Sequence, residues 1–366
     1  MAGGVAEPDL RRGADFCSPV LGPIMPGENG AVKRNTPEAP GVLKLRRAQR
    51  GAAILTAMLI VVLVATLAST ALWQQWRAVE IEAAERSRTQ SAWVLTGALD
   101  WARLILREDA RQGGADYLSE PWAVPLEQAR LSTFLAADSS DALAADASQE
   151  AFLSGQIIDL QSRLNVTNLV QGGKIDVPSQ LAFTRLFELL DLPPTELSVM
   201  TENLRLAQAA STGSGPTLPA DAATPLLPQD IDQLAWLGLS APTIERLRPF
   251  ITLLPVSTPV NLNTASAEVI FACVEAFDLA DAQRLVSARN TTHMNTLADA
   301  EKMSGKADAK FIAAQHSVAT RFFEVRGTLR IEQTEVQEQS VLQRDSMDVK
   351  TIARRRGVAG LTAALQ

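Results

Sequence analysis

One long uncharged segment constrains this chain more than any other feature of its sequence. No charged side chain occurs between Gly51 and Trp76, and residues 52–73 are almost all apolar. As a helix they would extend about 33 Å at roughly 1.5 Å per residue, close to the thickness of the hydrocarbon core of a bilayer. The sequence therefore predicts a transmembrane helix over residues 52–76. The alternative is a cleaved secretory signal, but the apolar core of such a signal is only about 7–15 residues long.

The charges that flank this segment predict its orientation. Four basic residues precede it, Lys44, Arg46, Arg47 and Arg50, whereas the far side begins with glutamines and the single Arg77. Because positive charge is retained on the cytoplasmic side of a membrane, the N-terminus is predicted to be cytoplasmic and the C-terminal part to lie across the membrane. Further upstream, glycine and proline are so frequent that no core can form, and a disordered leader is predicted.

Composition argues against several classes of protein. The chain has 366 residues, 34 basic and 41 acidic, with a formal net charge of −7, and this excess of acid argues against binding to nucleic acid. Its cysteines, Cys17 and Cys273, and its histidines, His293 and His316, do not have the spacing of zinc ligands. Both histidines are predicted at the surface. The sequence lacks a nucleophile elbow, a phosphate-binding loop and a metalloprotease motif, so it does not predict an enzyme.

The end of the basic segment resembles the leader of a type IV prepilin-like protein. It finishes at Gly51, and the apolar segment begins at once with Ala52. In that class a prepilin peptidase cuts after the glycine, so the resemblance implies cleavage between Gly51 and Ala52. Glycine suits the position because a peptidase must hold an extended backbone at close range. Cys273 would then be the one cysteine left, and no internal disulfide is expected.

The residue at the fifth position after this cleavage site indicates which kind of prepilin-like protein the chain resembles. Most pilins and major pseudopilins carry glutamate there, whereas this chain has Thr56. A carboxylate in hydrocarbon is costly unless it is paired, so a subunit without a partner for it gains by omitting it. The omission resembles the K-type minor pseudopilin of the type II secretion system. Residues 90–102 and 120–123 also resemble the helix of that family and the loop that follows it.

Beyond the membrane segment, the spacing of apolar residues predicts that the helix continues from Ala78 to about Arg111. Trp93 and Trp101, on this helix, are predicted to pack in the core. A helix is also predicted from 180 to 192, where Pro193-Pro194 would end it, and residues 211–228 are predicted to be a linker.

Strand patterns occur far apart in the sequence. A strand or hairpin is predicted over Ile157–Val166, and two further strands over Arg321–Arg330 and Glu335–Arg344. Gly327 is predicted to mark a bulge in the first of these later strands. The sheet is therefore expected to be interrupted by a long helical insertion.

Within this insertion, residues 230–255 and 266–290 each read as helix, short turn and helix. Asn and Thr side chains between the two units are predicted as turn and capping residues. The units resemble helix-hairpin-helix modules, which in other proteins bind DNA phosphates through a turn with two glycines. Here the first turn has only Gly238 and the second has none. A packed helical domain without nucleic acid is therefore predicted.

Together these patterns predict an α+β fold, with a long N-terminal transmembrane helix and a small antiparallel pseudopilin sheet interrupted by a large, mostly helical insertion with helix-hairpin-helix-like units. The predicted parts are a cleaved cytoplasmic leader over 1–51, the transmembrane helix over 52–76, the helix continuation and first strands over 77–170, the inserted helical domain over 171–317, the remaining strands over 318–346 and a flexible C-terminal tail over 347–366.

The resemblance implies a structural role for this chain. It implies a minor pseudopilin, single-pass in the inner membrane with a periplasmic C-terminal domain, that caps the pseudopilus tip and supports protein export across the outer membrane. The implied partners are the I- and J-type minor pseudopilins, other pseudopilus subunits, the prepilin peptidase and the inner-membrane assembly platform. The span helices are expected to approach one another closely at small residues, namely Ala65, Ala68, Ser69 and Ala71.

Two further expectations concern ligands. Relatives of this family can bind calcium, but the nearest acidic cluster here, Asp138, Asp141 and Asp146, lacks the glycine and spacing of a calcium loop. No cofactor is therefore predicted, and calcium is left unassigned. The alternative function is a membrane-anchored helix-hairpin-helix DNA-binding protein of a DNA-uptake apparatus.

Overall fold

A computed structural model describes residues 49–131, 151–211, 225–331 and 334–358. By its internal contacts the chain divides into two units, Met1–Gln75 and Trp76–Gln366. The predictions for the leader upstream of Gln49, for the tail beyond Val358, for most of the 211–228 linker and for the acidic cluster at Asp138, Asp141 and Asp146 lie outside the described residues.

The first helix confirms the expected length of the apolar segment and its continuation. It ends where Gly113 and Gly114 adopt positive φ values of 65° and 120°, and the Gly113 amide donates to the Asp109 carbonyl at 3.0 Å, a common way for glycine to end a helix. The α-helices of the described ranges are, in chain order, α1 (Gln49–Gln112), α2 (Val177–Leu189), α3 (Pro194–Ser211), α4 (Ala241–Leu247), α5 (Ala267–Cys273), α6 (Leu279–Thr291) and α7 (Leu297–Ser304).

The strands form one larger antiparallel sheet and three short pairs. In chain order they are β1 (Leu126–Arg130), β2 (Ala151–Asp159), β3 (Leu164–Asn165), β4 (Val170–Gln171), β5 (Lys174–Ile175), β6 (Ile251–Thr252), β7 (Val260–Asn261), β8 (His316–Ser317), β9 (Phe322–Ile331), β10 (Thr334–Asp345) and β11 (Asp348–Val358). The five-stranded sheet has the order β1-β2-β9-β10-β11. The smaller pairs are β3 with β6, β4 with β5 and β7 with β8.

Helix α1 packs on this sheet through one face. Its buried residues recur at intervals of three and four, as expected for a helix with one packed face, and a glycine on β9 leaves room for it. Gly155 lies opposite Gly327 in the ladder, and a Cβ atom on Gly327 would come within 3.2 Å of the Leu95 Cδ2 atom. The buried apolar residues of the helix are Leu95, Leu99, Ala102 and Leu106.

The close approach at Gly327 gives a stability prediction. In Gly327→Val the branched side chain would enter space that Leu95 occupies, so we expect the free energy of unfolding to fall by about 1–3 kcal/mol. Gly357→Val is the matched control, because a Cβ atom there has nothing within 4 Å. Chemical denaturation of both variants checks this, and equal stability of the two would show that α1 does not need the glycine.

The predicted strands over 321–330 and 335–344 are confirmed as β9 and β10, but two details were wrong. No bulge occurs at Gly327, where the ladder runs without interruption; the irregularities lie between Leu126 and Ala129 and between Val341 and Leu342. The predicted flexible tail is a strand up to Val358, because β11 pairs with β10 along its length.

The strand or hairpin predicted over 157–166 is displaced. Strand β2 ends at Asp159, whose side chain accepts from the Gln161 amide at 2.7 Å.

A second and larger apolar core holds the helical region together, with buried residues from Leu164 to Phe311. Helix α2 begins earlier than predicted, because the Asp176 side chain caps it by accepting from the Ser179 amide at 3.0 Å. The two prolines that follow α2 were predicted to end it, and the second of them, Pro194, is also the first residue of α3. Proline is well suited to a first turn, where its missing N–H is not needed.

Both predicted helix pairs are present in this region. The first is a 3₁₀-helix, Ile231–Leu237, followed by α4, and Gly238 between them has a φ of 100°. The second is α5 followed by α6. The N-cap of α5 is Ser266, whose hydroxyl accepts from the Val269 amide, so the predicted capping role of the preceding Asn and Thr residues was wrong. The comparison with helix-hairpin-helix modules stays a prediction.

Those Asn and Thr residues instead join the helical region to the sheet. Asp159, at the end of β2, accepts from the Asn261 side-chain amide at 2.9 Å and from the Thr264 hydroxyl at 2.5 Å. All three side chains are buried, and burial raises the pKa of Asp159. A buried polar group is stable only when it is hydrogen-bonded, so this network fixes how the insertion meets the sheet.

Candidate assembly site

The apolar segment of α1 that begins at Ala52 is exposed around its whole circumference. Within the described residues, α1 from Ala52 onward is the one helix long and apolar enough to cross a membrane. Its predicted small contact residues do not all share a face. At about 100° per residue, Ala65, Ala68 and Ser69 lie together, whereas Ala71 lies about 120° away from Ala65. The Ser69 hydroxyl donates to the Ala65 carbonyl at 2.8 Å, so it brings no unpaired polar group into the membrane.

The predicted processing site lies at the beginning of this helix. Gly51 and Ala52 have helical backbone, as does Arg50, whereas Lys44, Arg46 and Arg47 lie outside the described residues. Thr56 donates from its hydroxyl to the carbonyls of Ala52 and Ala53, each at 3.0 Å. The hydroxyl at the fifth position after the predicted cut therefore has hydrogen-bond acceptors within its own helix, and the side chain carries no charge that needs a partner.

The outward face of α1 in the second unit is the largest correction to the sequence analysis. Trp93 was predicted in the core but is 73% exposed, and Trp101 is 44% exposed. With Leu104, which is 58% exposed, they lie about 120–160° around the helix from the buried Leu99. Gly97 lies between the two tryptophans and has nothing within 4 Å of an added Cβ atom. We call Trp93, Gly97, Trp101 and Leu104 the tryptophan face.

The tryptophan face adjoins an apolar groove between α1 and the β1–β2 side of the sheet. Trp101 and Ile105 line it from the helix, Val124 from the chain that leads into β1, and Leu126 from the first position of β1. Val124 is 64% exposed. Contiguous exposed apolar side chains of this kind mark a surface for contact with another protein.

Three carboxylates gather where α1 ends. Ligand oxygens of Asp109, Asp116 and Glu120 lie within 4.8 Å of one another. Arg344 already pairs with Asp109, and with Asp116 at 2.5 Å. Because that guanidinium neutralises part of the cluster, no metal is assigned to it.

The turns of the two helix pairs are arranged unlike a phosphate site. In the first turn the Ser240 amide donates to the Glu196 carboxylate at 3.0 Å, so the chain supplies its own anion. At the second turn the Arg185 guanidinium donates to the carbonyls of Phe271 and Phe277 at 2.7 and 2.6 Å. A phosphate needs free amides that point toward it, and in the first turn the Ser240 amide is already bonded; the absence of nucleic-acid binding stays a prediction.

The histidines do not lie as predicted. His316 is buried rather than at the surface; its Nδ1 accepts from the Ile312 amide at 3.2 Å, and its Nε2 lies 3.2 Å from the Cys273 carbonyl. Burial lowers the pKa of His316 and raises the pKa of the Cys273 thiol to about 12. His293 is half-buried and stacks on Tyr117 with ring centroids 3.8 Å apart.

Comparisons with known proteins identify the family. Two family models described as type II secretion system, protein K, match residues 162–256 and 260–319. The type II secretion system protein K of Pseudomonas aeruginosa is 28% identical over 338 residues, which cover 87% of this chain and 96% of the relative. That of Klebsiella pneumoniae is 27% identical over 351 residues, covering 85% and 97%.

These matches, with the fold described below, support a protein K of the type II secretion system. Its role is that of a minor pseudopilin in type II secretion. The two family models cover the helical region, including both helix pairs and the junction residues Asn261 and Thr264. The residues on which the sequence resemblance was first based, 47–56, 90–102 and 120–123, lie outside both matched ranges.

A solved structure has the same fold as this chain. A chain in the crystal structure of the GspK-GspI-GspJ complex from the enterotoxigenic Escherichia coli type 2 secretion system matches with a TM-score of 0.53. The match covers 75% of this chain and 98% of that chain, with 16% sequence identity. It supports the predicted α+β fold, with a long helix on a small antiparallel sheet.

Proposed function

We propose that this protein caps the tip of a periplasmic pseudopilus and so supports protein export across the outer membrane. Residues 52–76 would hold it in the inner membrane, with the N-terminus in the cytoplasm, after prepilin peptidase has cut behind Gly51. The observation that carries the proposal is the tryptophan face. In a subunit of a filament, an exposed apolar helix face calls for an apolar helix of a neighbouring subunit, because burial of such side chains drives association.

Thr56 supports a position at the end of the filament. A subunit with glutamate at this place needs a cationic partner inside the hydrocarbon, because an unpaired carboxylate there is expensive. The Thr56 hydroxyl bonds to carbonyls of its own helix, so this subunit makes no such demand. A subunit at the end of a filament has neighbours on just one side, so the absence of a charge that needs a partner suits that position.

The partners we assign are the I- and J-type minor pseudopilins, together with the inner-membrane assembly platform. The crystal structure that shares this fold is that of the GspK-GspI-GspJ complex, which supports minor pseudopilins as partners of this chain. The role is structural and calls for no cofactor. All of its specificity would come from surfaces, of which the tryptophan face is one with exposed large apolar side chains.

Co-purification tests this proposal. The double variant Trp93→Glu with Trp101→Glu places two charges on the tryptophan face, and we expect tagged protein to recover at least about tenfold less I- and J-type partner, since a contact loss of about 1.4 kcal/mol already has that effect. Full-length chains would be expressed with their partners and extracted in mild detergent, and secretion of a reporter substrate would be measured in the same cells.

Arg88→Glu is the matched control for the double variant. Arg88 is exposed on the same helix and lies about 140° around it from both tryptophans. We expect this variant to retain its partners and to support secretion. Loss of partners in Arg88→Glu to the same degree, or full recovery in the double variant, would overturn the assignment of the tryptophan face.

A further inference from the structure

The loop that follows α1, residues 113–123, fastens three parts of the second unit to one another, and we call it the clasp. The Asp116 amide donates to the Val318 carbonyl at 2.9 Å, just before β9. From the helical region, the Asn261 side chain donates to the Asp116 carbonyl at 3.1 Å. The clasp therefore links the end of α1, the sheet and the insertion.

Side chains at the end of the clasp strengthen this attachment. Trp122 is buried, and its ring meets that of Phe323 edge-on with centroids 5.2 Å apart. The Glu120 carboxylate accepts from the Trp122 indole nitrogen at 2.7 Å and from the Tyr117 amide at 2.9 Å. Glu120 is thus the acceptor that holds the clasp in its folded conformation.

Charge is unbalanced around the clasp. The carboxylates of Asp109, Asp116 and Glu120 lie together, and the Arg344 guanidinium bonds to the first two. No ion pair of the described residues supplies a cation to Glu120. The other charged groups that line this depression, Arg321 and Asp345, pair with each other.

The titration of these carboxyls follows from their surroundings. Burial, reinforced by the charges of Asp109 and Asp116, raises the pKa of Glu120 to about 7. Burial likewise raises the pKa of Asp116 to about 6, against the opposing effect of Arg344. The titratable group facing the clasp from the helical region is His293, through its stack on Tyr117.

We propose that the clasp is a proton-operated latch, closed while the Glu120 carboxyl holds a proton and released as that proton is lost. A protonated carboxyl keeps an acceptor oxygen for the Tyr117 amide and the Trp122 indole without adding a third negative charge beside Asp109 and Asp116. An ionised Glu120 is repelled by both neighbours, and opening of residues 113–123 moves it into water.

The sign and size of the effect follow from linkage. In an open clasp the pKa of Glu120 returns to about 4.3, whereas in the closed clasp it is about 7, so the closed form binds the proton more tightly. The closed form is therefore favoured at low pH, and this advantage is lost as the pH rises through the folded-state value. For these two pKa values the opening constant rises about tenfold between pH 6 and pH 8.

Hydrogen exchange on the full chain in detergent micelles tests the latch. Exchange rates would be corrected for their intrinsic dependence on pH, and protection would be compared at pH 6 and pH 8. We expect protection of residues 113–123 to fall about tenfold at the higher pH, with little change in β9 and β10. In Glu120→Gln, whose amide oxygen still accepts, we expect this fall to be less than about threefold.

Glu108→Gln is the matched control, because Glu108 lies near the same end of α1 and forms an exposed pair with Arg111. It should retain the tenfold fall. The latch is overturned if the wild-type clasp has the same protection at both pH values, or if Glu120→Gln follows the wild type. Should Glu120→Gln lose protection in β9 and β10 as well, the wild-type protein would be measured at further pH values between 5 and 9, and a fall in clasp protection whose midpoint lies far from pH 7 would reject the latch.

Discussion

A chain with Gly51→Leu is expected to keep its leader, so that the full-length protein replaces the processed form in the membrane. The prediction rests on the requirement of the peptidase for a backbone that it can approach closely, which a bulky side chain at the last leader position prevents. The membrane segment itself is unchanged in this variant, so insertion should proceed. Immunoblots of membranes and the intact mass of the purified protein measure the outcome, and the wild-type chain should begin at Ala52.

Gly41→Leu is the control for this experiment. Gly41 is also a leader glycine but lies away from the junction, so processing should be normal. A mature mass in Gly51→Leu equal to that of the wild type would rule out cleavage at this peptide bond. Recovery of native wild-type protein with Met1 still present would rule out processing altogether.

Replacement of Arg344 is expected to have the largest effect on stability. Its side chain is 10% exposed and joins Asp109 on α1 to Asp116 on the clasp, and its guanidinium also donates to the Thr320 carbonyl at 2.8 Å. Arg344→Met leaves two poorly solvated carboxylates side by side. Since breaking a buried pair strands a charge, we expect the free energy of unfolding at pH 8 to fall by about 3–5 kcal/mol.

The same variant should be less damaging in acid. As the pH falls from 8 to 5, Asp116 and Glu120, whose pKa values are raised to about 6 and about 7, take up protons, so fewer negative charges repel one another around the site that Arg344 has left. Denaturant titration of the full chain at both pH values measures this difference. Arg321→Met is the control: Arg321 pairs with Asp345 but its side chain is 58% exposed, so a cost below about 1 kcal/mol is expected. Equal costs for the two variants would contradict this account.

Features that depend on neighbouring residues in the sequence were predictable. The apolar segment of α1 and strands β9 and β10 follow from hydrophobic patterns that are complete within each element. Gly113-Gly114 likewise ends α1 by a local conformational preference. In each case the physical cause acts over a few residues.

Strand β11 shows why other features were not predictable. Its sequence contains Arg354, Arg355 and Arg356 in succession, which suggests a solvated tail. In the fold, Arg354 and Arg356 both bond to Glu338 of β10, at 2.6 Å each, and Glu338 is itself buried. The strand is stabilised by a carboxylate from the neighbouring strand, and no pattern within the segment reveals that partner.

The tryptophans and His316 were misplaced for a similar reason. Aromatic residues on an amphipathic helix usually face the core, yet the face of α1 that meets the sheet is set by Leu95, Leu99 and Leu106. Trp93 and Trp101 are left outside. His316 is buried because β8 pairs with β7, a pairing between segments far apart in the sequence.

The sequence by itself determined that one long uncharged segment is present and that basic residues and a glycine precede it. It also determined that the fifth residue after that glycine is not glutamate. These are properties of composition and local order, which water and lipid act on directly. Only the tertiary structure decided which face of α1 remains exposed, that Arg344 joins two carboxylates at its end, and that Glu120 lies beside them without a cation. Those features arise from contacts between distant segments, whose energies depend on burial and on distances that no local pattern specifies.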